Sequence, residues 1–209
     1  DRRVGFELGA DDWPMPIDVV RTDAGWSFDV EGGLEEIAAR LIGFNELDVI
    51  DAMRAYVEIQ RDFRSVDQDG DGLLEFAAHI ISSAGSRDGL YWPGGESPVG
   101  DLVARASLDG FAEEGSDNAA QPYLGYYYRI LDAQGSAAPG GGTSYLVNGQ
   151  MLAGHALLAV PAIYGESGVH SFLVAENGVV LEADLGAESL TIARKMSAYN
   201  PDDAWTPAQ

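Results

Sequence analysis

Apolar and polar residues alternate near both ends of this chain and follow a helical rhythm in between. Before residue 30, "VGFEL", "IDVVR" and "GWSFDV" read as strands around a Pro-rich bend and a "DAG" turn, with Trp26, Phe28 and Val30 on one side. "GLEEIAARLIG" predicts a short helix stopped by glycine. Asn45 then predicts the cap of a second helix, "ELDVIDAMRAYVEIQRDFRSV". In it Val49, Met53, Tyr56 and Phe63 fall at helical spacing, with Ile50 and Val57 beside them, so one face is predicted to be buried. "LEFAAHIISSAG" reads as a further short helix, "SRDGLYWPGGESPVG" as a turn-rich loop, "DLVARASLDGF" as a helix and "EEGSDNAAQP" as a polar connection. From residue 123 the pattern turns to strands: "YLGYYYRILDAQ", "SYLVNGQ", "HALLAVPA", "VHSFLVAENG" and "VVLEADLG", with "GSAAPGGGTS" as a flexible loop among them. Asn177 and Gly178 mark a hairpin turn. "SLTIARKMSAY" predicts a closing helix.

The fold class this implies is α+β: a long amphipathic helix packed on a C-terminal antiparallel sheet of four or five strands, after a small N-terminal β segment. The expected division is residues 1–45, an incomplete β segment with a short helix, and residues 46–209, the α+β domain. The opening "DRRVGFELGADDWP" reads as the middle of a strand, so the expectation is that upstream residues, a signal among them, have been removed.

Charge narrows the partners. With 34 acidic and 12 basic residues the net charge is -22, and Lys195 is the only lysine. Such a surface repels nucleic acid and anionic lipid, because binding a phosphate backbone needs clustered Lys and Arg, and no nucleic-acid partner is expected. No apolar run is long enough for a membrane-spanning helix. The absence of cysteine excludes disulfides, thiolate metal sites and cysteine nucleophiles.

"DQDGDGLLE", residues 67 to 75, is the chemistry-bearing stretch. A D-x-D-x-D-G spacing lets one tight loop aim three carboxylates inward, and Ca2+ seeks roughly six to eight oxygens. Asp67, Asp69 and Asp71 fit the first three ligands, Gly72 the sharp turn, and the Leu73 carbonyl the next ligand. An EF-hand ends on a bidentate glutamate at its twelfth position, which here is Ala78. Glu75, at the ninth, is the nearest further carboxylate, and Asp88 stands in the next loop. The expected affinity is therefore weak, on the order of 10⁻⁴ to 10⁻³ M, the range of extracellular modules. The plainer reading is an acidic turn capping the helix that follows.

The remaining candidates are weaker. His79, His155 and His170 share no metal-ligand spacing, and no G-x-S-x-G elbow is present. "GGGTS" lacks the lysine and helix of a phosphate loop. Asp11–Asp12, Glu113–Glu114 and Asp202–Asp203 are acidic pairs in an acidic chain and carry no information. Tyr123, Tyr126, Tyr127 and Tyr128 form either a core face or a carbohydrate groove, with core favoured. In "RDGLYWP", the plain reading has Arg87 or Asp88 tie down the loop while Tyr91 and Trp92 pack inward, and the functional reading is a binding rim.

"DDWPMPIDVVR", "GWSFDVEGGLEEIAARLIGFNEL", "AYVEIQRDF", "DQDGDGLLEFA", "SRDGLYWP", "GYYYRIL", "PGGGTSYLVNGQM" and "YGESGVHSFLV" together resemble one bacterial family, domain of unknown function 2950, over about residues 9 to 207. The resemblance implies an exported protein with an N-terminal signal and a further upstream region, and fixes no reaction. Residues 46–186 also resemble the globular part of type IV pilin-like and pseudopilin proteins, in which a helix crosses a small antiparallel sheet and some members bind calcium in an acidic loop. The pilin N-terminal half-helix and cleavage motif are absent from this sequence. The stretch before residue 45 is similar to the last strands of nuclear transport factor 2-like cone folds.

The expected function is an exported, calcium-stabilised structural or interaction protein, periplasmic or secreted, with no catalytic residue assigned. A protein partner or self-assembly through strand edges is expected. The alternatives are an envelope hydrolase acting on glycan or peptide beneath the tyrosine cluster, and a small-ligand module with an apolar cavity lined by Trp13 and Trp26.

Overall fold

The computed structural model describes residues 2–110 and 120–208. The chain divides into two compact units, Asp1–Phe44 and Asn45–Gln209. In the first, β1 (Arg3–Val4), β4 (Val19–Thr22) and β5 (Gly25–Phe28) make an antiparallel sheet in the order β1-β4-β5, while β2 (Glu7–Leu8) pairs with β3 (Trp13–Pro14). Helix α1 (Val30–Phe63) begins in this unit and ends in the second.

The two helices predicted over this stretch are one. Gly43 costs a helix interior only about 1 kcal/mol relative to alanine, and no proline interrupts the hydrogen bonds. Asn45 is not a cap; its Nδ2 donates to the Ser167 carbonyl at 2.9 Å. The apparent break was a shift of apolar phase, from a stripe at 30, 34, 37, 41 and 44 to one at 49, 53, 56 and 63.

The second unit is mixed α and β. It contains β6 (His79–Ile81) parallel to β7 (Gly89–Tyr91), the short helix α2 (Asp101–Arg105), then β8 (Tyr126–Leu131), β9 (Ala133–Gln134), β10 (Thr143–Ser144) and the hairpin β11 (Leu146–Val147) to β12 (Gln150–Met151). There follow β13 (Ala156–Pro161), β14 (His170–Ala175), β15 (Leu181–Asp184), α3 (Ser189–Ala193), β16 (Ala198–Tyr199) and β17 (Thr206–Pro207). The main sheet is fully antiparallel, in the order β17-β15-β14-β13-β8. The β14–β15 hairpin turns at Gly178 (φ 72°), where Asn177 Oδ1 accepts the Val179 amide at 3.1 Å.

Every residue of β13 is buried, because both faces of the sheet are covered. Opposed residues share a face. Leu157 and Ala159 therefore lie with Ile130, Tyr128, Val174 and Phe172 on one side. That side meets α1: Ala52, Tyr56, Tyr128 and Leu157 line a common apolar cavity of about 190 Å³. On the other side Arg129 Nη1 donates to the carbonyls of Ala193 and Arg194, at 3.1 and 2.9 Å, while Asp109 holds its other nitrogens. An arginine from the sheet thus satisfies the orphan carbonyls at the end of α3.

Val49, Met53, Tyr56 and Phe63 all join the core, each contributing about 2 kcal/mol by area. Glu46 belongs to the same face. Its Oε1 accepts the amides of Val169 and His170 at 2.8 and 2.9 Å, and its Oε2 meets His170 Nδ1 at 3.1 Å.

Three predicted helices shorten or vanish. "LEFAAHI" is not helical because its backbone groups are spent elsewhere: Phe76 N donates to Met151 O at 2.9 Å, Ala78 N to Asp88 O at 2.9 Å, and His79 lies in β6. After α2 the chain leaves the helix to pair with Tyr128, whose amide donates to Ala106 O at 2.8 Å. α3 stops at Ala193 and its continuation becomes β16, parallel to β9.

His155 is a core residue. Its ring packs edge-on to Tyr56 and Phe76, with centroids at 5.2 and 4.6 Å, and its Nδ1 has no partner. Burial, helped by the Arg64 charge, pushes its pKa from 6.5 down to about 4. The folded protein holds it neutral while the unfolded chain takes up a proton. Stability is therefore lost as pH falls from 6.5 towards 4, by roughly 3 kcal/mol for this group. Urea unfolding of the protein and of His155→Phe across that window tests this. The difference between them should narrow or reverse on acidification, and parallel pH profiles would rule it out.

Candidate metal centre

The aspartate loop starts where α1 unwinds. Ser65 N and Val66 N donate to Asp62 O and Phe63 O, at 3.1 and 3.3 Å, in tightened last turns. Asp67 then folds back over the loop: Oδ1 accepts Gly70 N at 2.7 Å and Oδ2 accepts Gly72 N at 2.9 Å. Gly70 and Gly72 have φ of 81° and 89°, a region that side-chain-bearing residues rarely occupy, so the wrap needs glycine at both places. Asp69 Oδ1 accepts Asp71 N at 3.2 Å, and Asp71 Oδ1 accepts Leu73 N at 2.7 Å. Gln150 Nε2, from β12, donates to Asp71 Oδ2.

One oxygen from each of Asp67, Asp69 and Asp71 lies within 4.8 Å of the others, so this exposed triad can hold a metal ion. The amides of Gly72 and Gly70 hold the Asp67 carboxyl below its ordinary range. Glu75 moves the other way: burial raises it first, and the charges of Asp69, Asp71, Asp88 and Asp67 add to the rise. Glu75 thus feels the triad without being one of its three converging members. Asp88 is committed elsewhere. Ser83 N and Ser83 Oγ donate to it at 2.8 and 2.7 Å, and burial, which works against ionisation, is outweighed by the bonds from Ser86 and Ser83. No helix follows the loop, so the reading of it as a helix cap does not hold.

The loop is closed from beneath. Gln60, buried on α1, donates from Nε2 to Ala77 O at 2.9 Å and accepts Ala77 N on Oε1, also at 2.9 Å. The same Nε2 donates to Tyr56 Oη at 3.0 Å, and Tyr56 Oη donates to Ala156 O at 3.2 Å. Arg64 spans the mouth, with Nε 3.3 Å from Leu74 O and its guanidinium 4.5 Å from the Phe76 ring centre. Both ends of the acidic stretch are therefore tied to the core.

Residues 1–208 match the family described as Protein of unknown function (DUF2950). The chain belongs to DUF2950. No curated protein and no solved structure matches it.

The other candidate residues of this DUF2950 chain fall into structural places. Tyr126 and Tyr128 are core; Tyr126 Oη donates to His170 O at 2.9 Å, and burial raises both phenols. The cavity beside Tyr128 has no carboxylate among its lining residues, and Glu46, next to Tyr126, has both oxygens engaged. His170 is held by Glu46, and His79 is exposed. Arg87 lies 5.1 Å over Trp92, and Tyr91 and Trp92 pack against the core. "GGGTS" leads into β10. Asp11, Asp12, Asp202 and Asp203 are exposed, and Glu113–Glu114 lie outside the described residues. In the first unit a half-open cavity of about 510 Å³ is lined by charged groups, among them Arg3, Asp18, Asp29, Glu36 and Arg40; Trp13 and Trp26 do not line it. Among the described residues no helix is long and apolar enough to cross a membrane.

Sequence reasoning missed Gln60 and Glu46. Both interrupt an otherwise apolar run at 46, 49, 53, 56, 60 and 63. A polar residue in such a register must find partners inside. Gln60→Ala strips partners from Ala77 N, Ala77 O and Tyr56 Oη, and should cost about 2–4 kcal/mol. A chemical denaturation midpoint within error of the parent would refute the assignment.

Proposed function

We propose that this protein is an exported structural or interaction protein of the cell envelope or extracellular space, stabilised by calcium at Asp67, Asp69 and Asp71, with the Leu73 carbonyl and Glu75 completing the shell. The observation that carries the reading is the convergence of three carboxylates in a loop whose ends are tied to the core. Like charges held at such spacing repel, and a chain free to move would spread them. Here Gln60 and the Asp67–glycine bonds prevent that, so a hard divalent cation is the natural neutraliser. Glu75 supports the same reading. Its carboxyl is raised because of burial and the surrounding acidic groups, and a bound cation would reverse the electrostatic part of that cause.

The extracytoplasmic part follows from affinity. A loop without the terminal bidentate glutamate belongs with sites filled at roughly 10⁻⁴ to 10⁻³ M calcium, concentrations found outside the cytoplasm. The pilin-like part rests on one helix laid across an antiparallel sheet with an acidic loop beside the helix end.

The test is the melting temperature against calcium, with EDTA and magnesium controls. A ligand that binds only the native state at a hundredfold excess over Kd adds about 2.7 kcal/mol. The parent should rise with calcium and not with magnesium, and Asp69→Ala should abolish the rise. A flat curve to millimolar calcium overturns the reading.

Glu75→Gln separates ligation from repulsion. A group whose folded pKa is raised contributes stability below its unfolded pKa and loses it as pH climbs through the folded value. At neutral pH in EDTA the neutral glutamine should therefore melt higher than the parent. In calcium it should gain less. Melting lower than the parent in EDTA would show that repulsion at Glu75 is not the governing term.

A further inference from the structure

We infer that residues 30–44 of α1 form a self-association surface that takes a second copy of this chain. The proposal supplies a partner for the interaction role proposed above, and it does not depend on calcium.

Val30, Leu34, Ile37, Leu41 and Phe44 follow one another at intervals of four, three, four and three residues. That is the seam of two helices packed side by side. Each of the five is between 43% and 63% exposed. The strands of the same unit cover the side of the helix adjoining this stripe, at Gly33 and Arg40, and leave the stripe itself open. A Cβ on Gly33 would meet Ile17 at 2.6 Å, and Arg40 donates to the Pro14 carbonyl and lies 5.4 Å over Trp13.

The first unit also has no apolar core of its own: no large apolar side chain between residues 2 and 44 is buried, and Trp26 and Phe28 stand exposed on one face of its sheet. So much open apolar surface marks an interface.

Size and symmetry point to a second copy. The seam presents on the order of 500 Å² of apolar surface, against about 800 Å² per partner in a standard interface, the size of a weaker, concentration-dependent contact. The stripe is also its own complement: with a two-fold axis at Ile37, Leu34 meets Leu41 and Val30 meets Phe44, the isologous arrangement of a homodimer. At the flanks Ala38 and Gly33 are uncharged and Arg40 is paired with Glu36, and Glu31, on the same flank as Ala38, is the acidic residue there.

The test is sedimentation equilibrium from micromolar to submillimolar protein, in EDTA. The expected result is a concentration-dependent species with the mass of two chains, lost in Leu34→Gln/Leu41→Gln. Both leucines are exposed in the single chain, so unchanged near-ultraviolet circular dichroism should show that the fold survives. The chain has no cysteine, so Ile37→Cys should form an intermolecular disulfide on mild oxidation while Ala39→Cys, on the far side of the helix, should not. Three results overturn the proposal: a monomer at every concentration, a dimer indifferent to the double substitution, or equal cross-linking at both cysteines. A monomer that co-sediments with phosphatidylglycerol vesicles overturns it in favour of a lipid surface. Because EDTA is present throughout, failure of the calcium reading appears in the melting curves and failure of this one in the mass.

Discussion

The bidentate bond between the Gln60 side chain and the Ala77 backbone is the constraint on which the acidic loop depends. It sits in a fully buried place, where an unpaired amide would cost more than the hydrogen bond itself contributes. It fixes the end of the loop against the helix from which the loop departs. Through Tyr56 Oη the same amide reaches the Ala156 carbonyl, so one polar chain connects helix, loop and the interior strand β13 of the sheet. The carboxylates of Asp67, Asp69 and Asp71 are held by exposed bonds to the loop's own amides, and their mutual repulsion acts on a loop whose far end is anchored in the core at Ala77.

Glu46 plays the matching part at the other end of that helix face. A carboxylate that accepts two consecutive backbone amides positions the helix along the sheet as well as against it, which dispersion among Val49, Met53 and Phe172 alone would not do. Between these two polar anchors the apolar residues fill the space. The sheet's other face is closed by Arg129, whose guanidinium takes up carbonyls that the short helix α3 leaves unpaired. Directional polar bonds set the register here, and area supplies most of the stabilisation.

How much of this was readable from the chain varies with the kind of signal. The α+β class, the buried face of Val49 to Phe63, the hairpin at Asn177–Gly178 and the core role of Tyr126 and Tyr128 all follow from local periodicity, which sequence carries directly. The acidic triad was equally plain, because its spacing is local. The helix boundaries were not. "LEFAAHI" has helical propensity, yet its amides are taken by Met151 and Asp88, partners far off in sequence or across a loop. Tertiary hydrogen bonds override a weak local preference. The false break at Gly43 has a different origin: the apolar stripe changes phase there, and in the sequence a change of phase looks the same as a change of element. Gln60 and Glu46 were legible in principle, as polar residues in an apolar register, but their partners at 77 and 169–170 could not be named without the fold.

The phase change also separates two kinds of stability within one helix. Residues 45–63 sit on a core of aromatic and branched side chains, and opening them means exposing that core. Residues 30–44 have no comparable cover, and the strands beside them bury no large apolar side chain. A segment of that size without a core falls short of what independent stability requires, so its order must draw on the continuity of α1. Local opening there should cost far less than global unfolding. A partner that occupies the seam would then complete a fold as well as bind one, and association and ordering of the first forty-four residues would be a single coupled equilibrium.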